Sequence, residues 1–64
     1  MPAPEPLPPI GKPATRALEG IGITSLRQLD GRSRRELAGL HGVGPKALRM
    51  LEEHLSRLGL RLAD

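Results

Sequence analysis

The sequence predicts a small all-α domain, and three observations carry that prediction. The apolar residues are mostly Leu and Ala, which favour helix, and β-branched residues are few. Gly-apolar-Gly triplets and capping residues divide the chain into short segments. The longest of these segments carries leucines at helical spacing.

The elements follow in order. Residues 1–10 hold five of the seven prolines: Pro2, Pro4, Pro6, Pro8 and Pro9. Proline fixes φ and donates no backbone hydrogen bond, so this stretch reads as a disordered, extended tail. Pro6-Leu7-Pro8-Pro9 also matches PxxP, the pattern of a docking ligand, but no Arg or Lys closely precedes it. The domain proper is expected over residues 11–64. Pro13 suits the first turn of a helix over 13–19, with Ala14, Ala17 and Leu18 on one side. Gly20-Ile21-Gly22 ends it. Thr24 or Ser25 can cap a short second helix through Leu29, stopped by Asp30-Gly31.

Ser33-Arg34-Arg35-Glu36 has the form of a capping box, opening a third helix that carries Leu37 and Leu40. Gly42-Val43-Gly44 breaks that helix. A fourth helix over about 45–58 starts with Pro45 and places Leu48, Leu51, Leu55 and Leu58 on one buried face. Arg49, Glu53 and Arg57 stand four apart on its wet side. Gly59 is expected as the left-handed C-cap, with Leu60 folding back on the helix end.

The chain matches itself when shifted by 22 residues. Leu18–Leu29 lies over Leu40–Leu51 with six of twelve positions identical, and Ile21 over Val43 is a conservative pair. The repeated unit is helix end, Gly-apolar-Gly, helix start, and two copies would build a four-helix domain around one core. In such a unit the first Gly takes positive φ and ends the preceding helix. The middle residue plugs the core. The second Gly opens the next helix and leaves its first N–H groups uncovered, a ready site for an anion. Lys46 and Arg49 follow in the second hairpin. The first hairpin has Ile23-Thr24 where the second has Pro45-Lys46, so it reads as a structural pseudo-repeat. A tight connector in a protein-interaction module is the alternative reading of both.

Composition narrows the function classes. Ten Lys and Arg face seven Asp and Glu, a net charge of +3. Glu5 is the sole charged side chain before residue 11, so residues 11–64 carry ten cations against six anions, +4. That balance permits polyanion binding. The chain has no Phe, Tyr or Trp, so it lacks the rings on which single-strand binders stack bases. It has no Cys for a disulfide or thiolate metal site. The histidines His41 and His54 converge with no further ligand in the sequence, and no catalytic set or metal site is expected. No signal sequence and no membrane span are recognisable, and a cytoplasmic protein is expected.

Leu40-His-Gly-Val-Gly-Pro-Lys-Ala-Leu-Arg-Met-Leu51 resembles the helix-hairpin-helix motif of DNA repair and replication proteins. Residues 10–63 are also similar to the carboxy-terminal domain of the bacterial RNA polymerase alpha subunit. That similarity rests on Gly22-Ile23-Thr24-Ser25-Leu26, Ser33-x-x-Glu36-Leu37, Val43-Gly44-x-Lys46 and Leu58-Gly59-Leu60-Arg61-Leu62. The resemblance implies a compact four- to five-helix, SAM-like domain of two helix-hairpin-helix units that meets duplex DNA at its phosphates, on the minor-groove side. Pro13 stands where that family has a groove-entering Arg, Arg16 replaces an Asn, and Ala47 replaces a Ser. Gly44 and Lys46 match the phosphate-contacting Gly and Lys. No assembly domain accompanies the match, so an alpha subunit is not expected.

The expected function is therefore a non-catalytic, sequence-tolerant grip on duplex DNA backbone. Its expected contacts are Gly42, Val43, Gly44, Lys46, Arg49, Arg16 and Lys12. No cofactor, membrane or small-molecule substrate is expected. A protein partner, with no nucleic-acid role for the domain, is the alternative.

Overall fold

A computed structural model describes residues 7–63. In chain order it has helix α1 (Lys12–Gly20), a single 3₁₀ turn (Leu26–Leu29), helix α2 (Arg34–Ala38) and helix α3 (Pro45–Arg57). The fold is all-helical, with three α-helices and one 3₁₀ turn where four to five helices were expected. Among the described residues the sole β pairing is an isolated bridge between Ser33 and Ala63. The Cα radius of gyration is 10.7 Å, within the about 10–11 Å of a compact chain this long.

Helix α3 is the spine. Gly44 is its N-cap and Pro45 its first residue, where the missing N–H costs nothing. Ala47, Leu48, Leu51 and Leu55 are buried along one face. It ends in a Schellman motif: Gly59 (φ 75°) donates to the Ser56 carbonyl, and Leu60 N–H reaches back to Leu55 O at 2.9 Å. Against α3 pack Ala14 and Leu18 of α1, Leu26 and Leu29 of the 3₁₀ turn, and Leu37 of α2, all in one core. Leu18, Leu29, Leu37, Leu51 and Leu55 are wholly enclosed. Burying each contributes about 1.5–3 kcal/mol.

The two short elements are held by caps. Thr24 N–H and Ser25 N–H both donate to the Gln28 Oε1. At α2, Ser33 Oγ accepts from Glu36 N–H at 3.1 Å, one arm of the expected capping box. The other arm is not made, because the Glu36 carboxylate pairs with Arg32 at 2.8 Å. A helix of five residues is far too short to persist alone. The chain end supports it: Ala63 N–H donates to Arg32 O and Arg34 N–H donates to Ala63 O. Gly31 N–H similarly meets Arg61 O, and Arg61 N–H meets the Asp30 carboxylate.

Two expectations need correction. The proline-rich tail was expected to run free to residue 10. Pro8 is instead buried, and Leu7 and Ile10 are half-buried against the core. Ile10 N–H closes a tight turn onto Pro8 O at 2.8 Å. A proline segment needs no partner strand for its missing donors, so it can lie along an apolar surface at little cost. Residues 1–6, and with them the Pro6 end of the PxxP stretch, lie outside the described residues.

The second correction concerns the repeat. In the second hairpin Gly42, the first glycine, has positive φ (99°), and Val43 is 7% exposed and plugs the core as expected. In the first hairpin the roles shift by two residues. Gly20 remains helical, Gly22 takes positive φ (85°), Ile21 is 36% exposed, and Ile23 enters the core at 2%. The cause is a full Schellman turn at the end of α1, where Ile23 N–H bonds Leu18 O and Gly22 N–H bonds Glu19 O.

These two glycines predict different costs on substitution. At Gly22 an added Cβ meets open space, so Gly22→Ala pays conformational strain alone, about 1–2 kcal/mol. At Gly42 the Cβ would lie 2.6 Å from the Pro13 carbonyl oxygen. Overpacking of that kind adds about 1–3 kcal/mol. With roughly 4–8 °C per kcal/mol in a domain this small, thermal unfolding followed by circular dichroism should place Gly42→Ala well below Gly22→Ala. Equal melting temperatures would mean that the Pro13 contact yields freely.

Candidate nucleic-acid interface

The start of α3 is built by local rules. Val43 N–H bonds Leu40 O, which closes the turn, and Gly44 then adopts extended backbone as N-cap. Leu48 N–H is the first to find a helical carbonyl, Gly44 O at 3.0 Å. Pro45 has no N–H. The N–H groups of Lys46 and Ala47 belong to the first turn, which has no preceding carbonyls to bond. They lie beside a residue with no side chain, and an added Cβ at Gly44 would meet nothing within 4 Å.

The start of α1 lies beside it. Gly11 is the N-cap, Lys12 the first helical residue and Pro13 the second. Thr15 donates to Gly11 O through both its N–H and its hydroxyl. Because Gly42 closes onto the Pro13 carbonyl, the two helix starts share one open concavity of about 510 Å³. Its lining includes Gly11, Gly42, Gly44 and Lys46, with Ile10, Pro9 and Met50 supplying an apolar wall. Two positive helix ends on one hollow make a stronger anion environment than either alone.

The first hairpin is arranged differently. There the 3₁₀ turn begins at Leu26 with Ser25 as its N-cap, and the N–H groups of Thr24 and Ser25, just before its first turn, are taken by the Gln28 side-chain oxygen. The repeat aligns Gln28 with Met50. Gln28 caps from three residues after its N-cap, and in α3 that place is held by Ala47, whose side chain has no acceptor.

The expected contacts divide. Gly42, Gly44 and Lys46 come together in the concavity. Lys12 and Arg16 are exposed and stand four residues apart on α1, on one side of that helix. Val43 is buried, so its side chain is a core plug rather than a contact. Arg49 is exposed but lines a different groove, between α2 and α3. Gly11 was missed in the sequence. Its signal was present as Gly11-Lys12-Pro13, the same three residue types as Gly44-Pro45-Lys46.

Arg32 pairs with Glu36, and Arg34 with Glu52. Among the described residues Lys12, Arg16, Lys46 and Arg49 have no ion-pair partner. The spacing of Arg49, Glu53 and Arg57 on α3 closes no ion pair there. His54 donates through Nδ1 to the Met50 carbonyl at 2.9 Å, a bond along its own helix. Among the described residues no group of His, Cys, Asp and Glu could hold a metal ion, and no helix is long and apolar enough to cross a membrane.

Comparison with known protein families, with curated protein sequences and with solved structures finds no match to this chain.

Proposed function

We propose that this protein is a non-catalytic module of the helix-hairpin-helix kind that grips the phosphate backbone of duplex DNA, from the minor-groove side and with little regard to sequence. One observation carries the reading: the starts of α1 and α3 open on one concavity, with Lys46 on its lining and no acidic side chain there. Backbone N–H groups, helix dipoles and a mobile ammonium are what a phosphate oxygen needs. The absence of Cβ at Gly44 lets the phosphate come close. Backbone contacts of this type position a duplex without reading its bases. The exposed Ile21 favours a second reading, in which the domain docks a protein through its first hairpin. Duplex binding that ignores Lys46 would favour that reading.

Affinity should be low. Non-specific duplex binding runs at about 10⁻⁴ to 10⁻⁶ M at physiological salt, and one module with a +4 body belongs at the weak end. Lys46→Ala should weaken binding equally on unrelated duplexes and flatten the slope of log K against log salt by about 0.9. Arg57→Ala is the control. It removes the same charge at the far end of α3, roughly 16 Å along the helix axis from Lys46. Equal losses in fluorescence-anisotropy titrations would reduce the binding to diffuse electrostatics and remove the hairpin from it.

Gly44→Asp separates binding from folding. The position is open and its φ of −95° suits any residue, and aspartate is among the best N-caps. Its carboxylate would occupy the first-turn N–H groups, as the N-cap Ser33 Oγ does for Glu36 N–H at α2. The melting temperature should hold or rise while duplex binding falls by more than in Arg57→Ala. A Gly44→Asp protein that binds duplex as tightly as the original would sink the proposal.

A further inference from the structure

The start of α3 is a ridge, with a second groove on its other side. Gly44 lines both hollows, and the second one lies between α2 and α3. Val43 and Leu48 line it together with Arg34, Arg49 and Glu52. Arg34 donates from Nε to Glu52 Oε2 at 3.2 Å, and this contact spans 18 residues of sequence. It is a single contact made by a side chain with five donors. The two side chains are 57% and 40% exposed, so water already screens the pair and little is lost on exchanging it. Arg49 has no ion-pair partner among the described residues.

We infer that this groove is a second contact for the nucleic-acid backbone, with Arg34 and Arg49 as its cations and Glu52 as a built-in restraint on affinity. The inference rests on the duplex-binding reading above and extends it. A guanidinium presents a planar fork that suits two phosphate oxygens, and the remaining donors of Arg34 stay available while Nε is held. Glu52 holds Arg34 at the groove when no ligand is present, and it repels an incoming phosphate. With Lys46 on one flank of the ridge and Arg34 and Arg49 on the other, a duplex backbone meets positive charge on both sides of Gly44. In the sequence Arg34-Arg35 reads first as a solvated helix start, with extension of a basic surface as the alternative.

The test is a set of anisotropy titrations against one duplex over a range of salt, using the whole chain. Glu52→Gln should tighten binding several-fold at low salt, with the gain fading as salt rises. Glu53→Gln, one residue on, exposed and without a hydrogen-bonding partner among the described residues, is the control for loss of any carboxylate and should gain less. Arg34→Ala should weaken binding and flatten the salt slope by about 0.9. In the Arg34→Ala background Glu52→Gln should gain no more than Glu53→Gln. Arg34 can be replaced safely, since α2 is tied to the chain end through the Arg34 backbone N–H. Melting curves verify this, and Arg34→Gln is the second variant. If Lys46→Ala weakens binding while Arg34→Ala and Arg34→Gln do not, the second groove is refuted and the first stands. An excess gain from Glu52→Gln that survives in the Arg34→Ala background also refutes it. If the original chain shows no salt-dependent binding, both readings fall together.

Discussion

Gly42 against the Pro13 carbonyl is the contact on which the rest of this molecule turns. A Cβ there would sit 2.6 Å from the carbonyl oxygen, so only glycine lets the turn before α3 seat on the start of α1. Val43, the next residue, enters the core and sets the rotation of that turn. Together they fix where α3 begins and which way its first N–H groups face. The concavity shared by the two helix starts is a consequence of this seating.

The two hairpins use similar residues to opposite ends. In the first, a side-chain amide oxygen from Gln28 lies at the N–H groups of Thr24 and Ser25. In the second, Ala47 stands at the equivalent place after the N-cap Gly44 and offers no side-chain acceptor. Arg32 and Arg34 are drawn into pairs with Glu36 and Glu52, while Lys12 and Lys46, at the two helix starts, have no ion-pair partner among the described residues.

The carboxy-terminal segment has a structural role larger than its length suggests. Helix α2 is one turn long, and its stability is borrowed from Ser33 and from the backbone of Arg61 and Ala63. That borrowed stability holds Arg34 across from Glu52. The ion pair, the groove beneath it and the end of the chain are therefore mechanically linked.

What could be read from the sequence was what depends on neighbours in sequence. The Ser33 cap, the Pro45 start, the leucine rhythm from Leu48 to Leu55 and the Gly59-Leu60 ending are set within a turn or two and fall where expected, whereas the helix expected to reach Leu40 and break at Gly42 stops at Ala38. The 22-residue repeat was real as a pattern, but it did not reveal which glycine turns left-handed. At the end of α1, a Schellman turn bringing Ile23 rather than Ile21 into the core decided that. Tertiary structure also decided that Leu7, Pro8 and Ile10 pack down, that Lys46 and Arg49 line different grooves, and that Arg34 finds Glu52. Each of these depends on surfaces brought together from distant parts of the chain. Local propensity fixes where a helix starts and stops, whereas only the shared core fixes which faces meet and which charges are left to solvent.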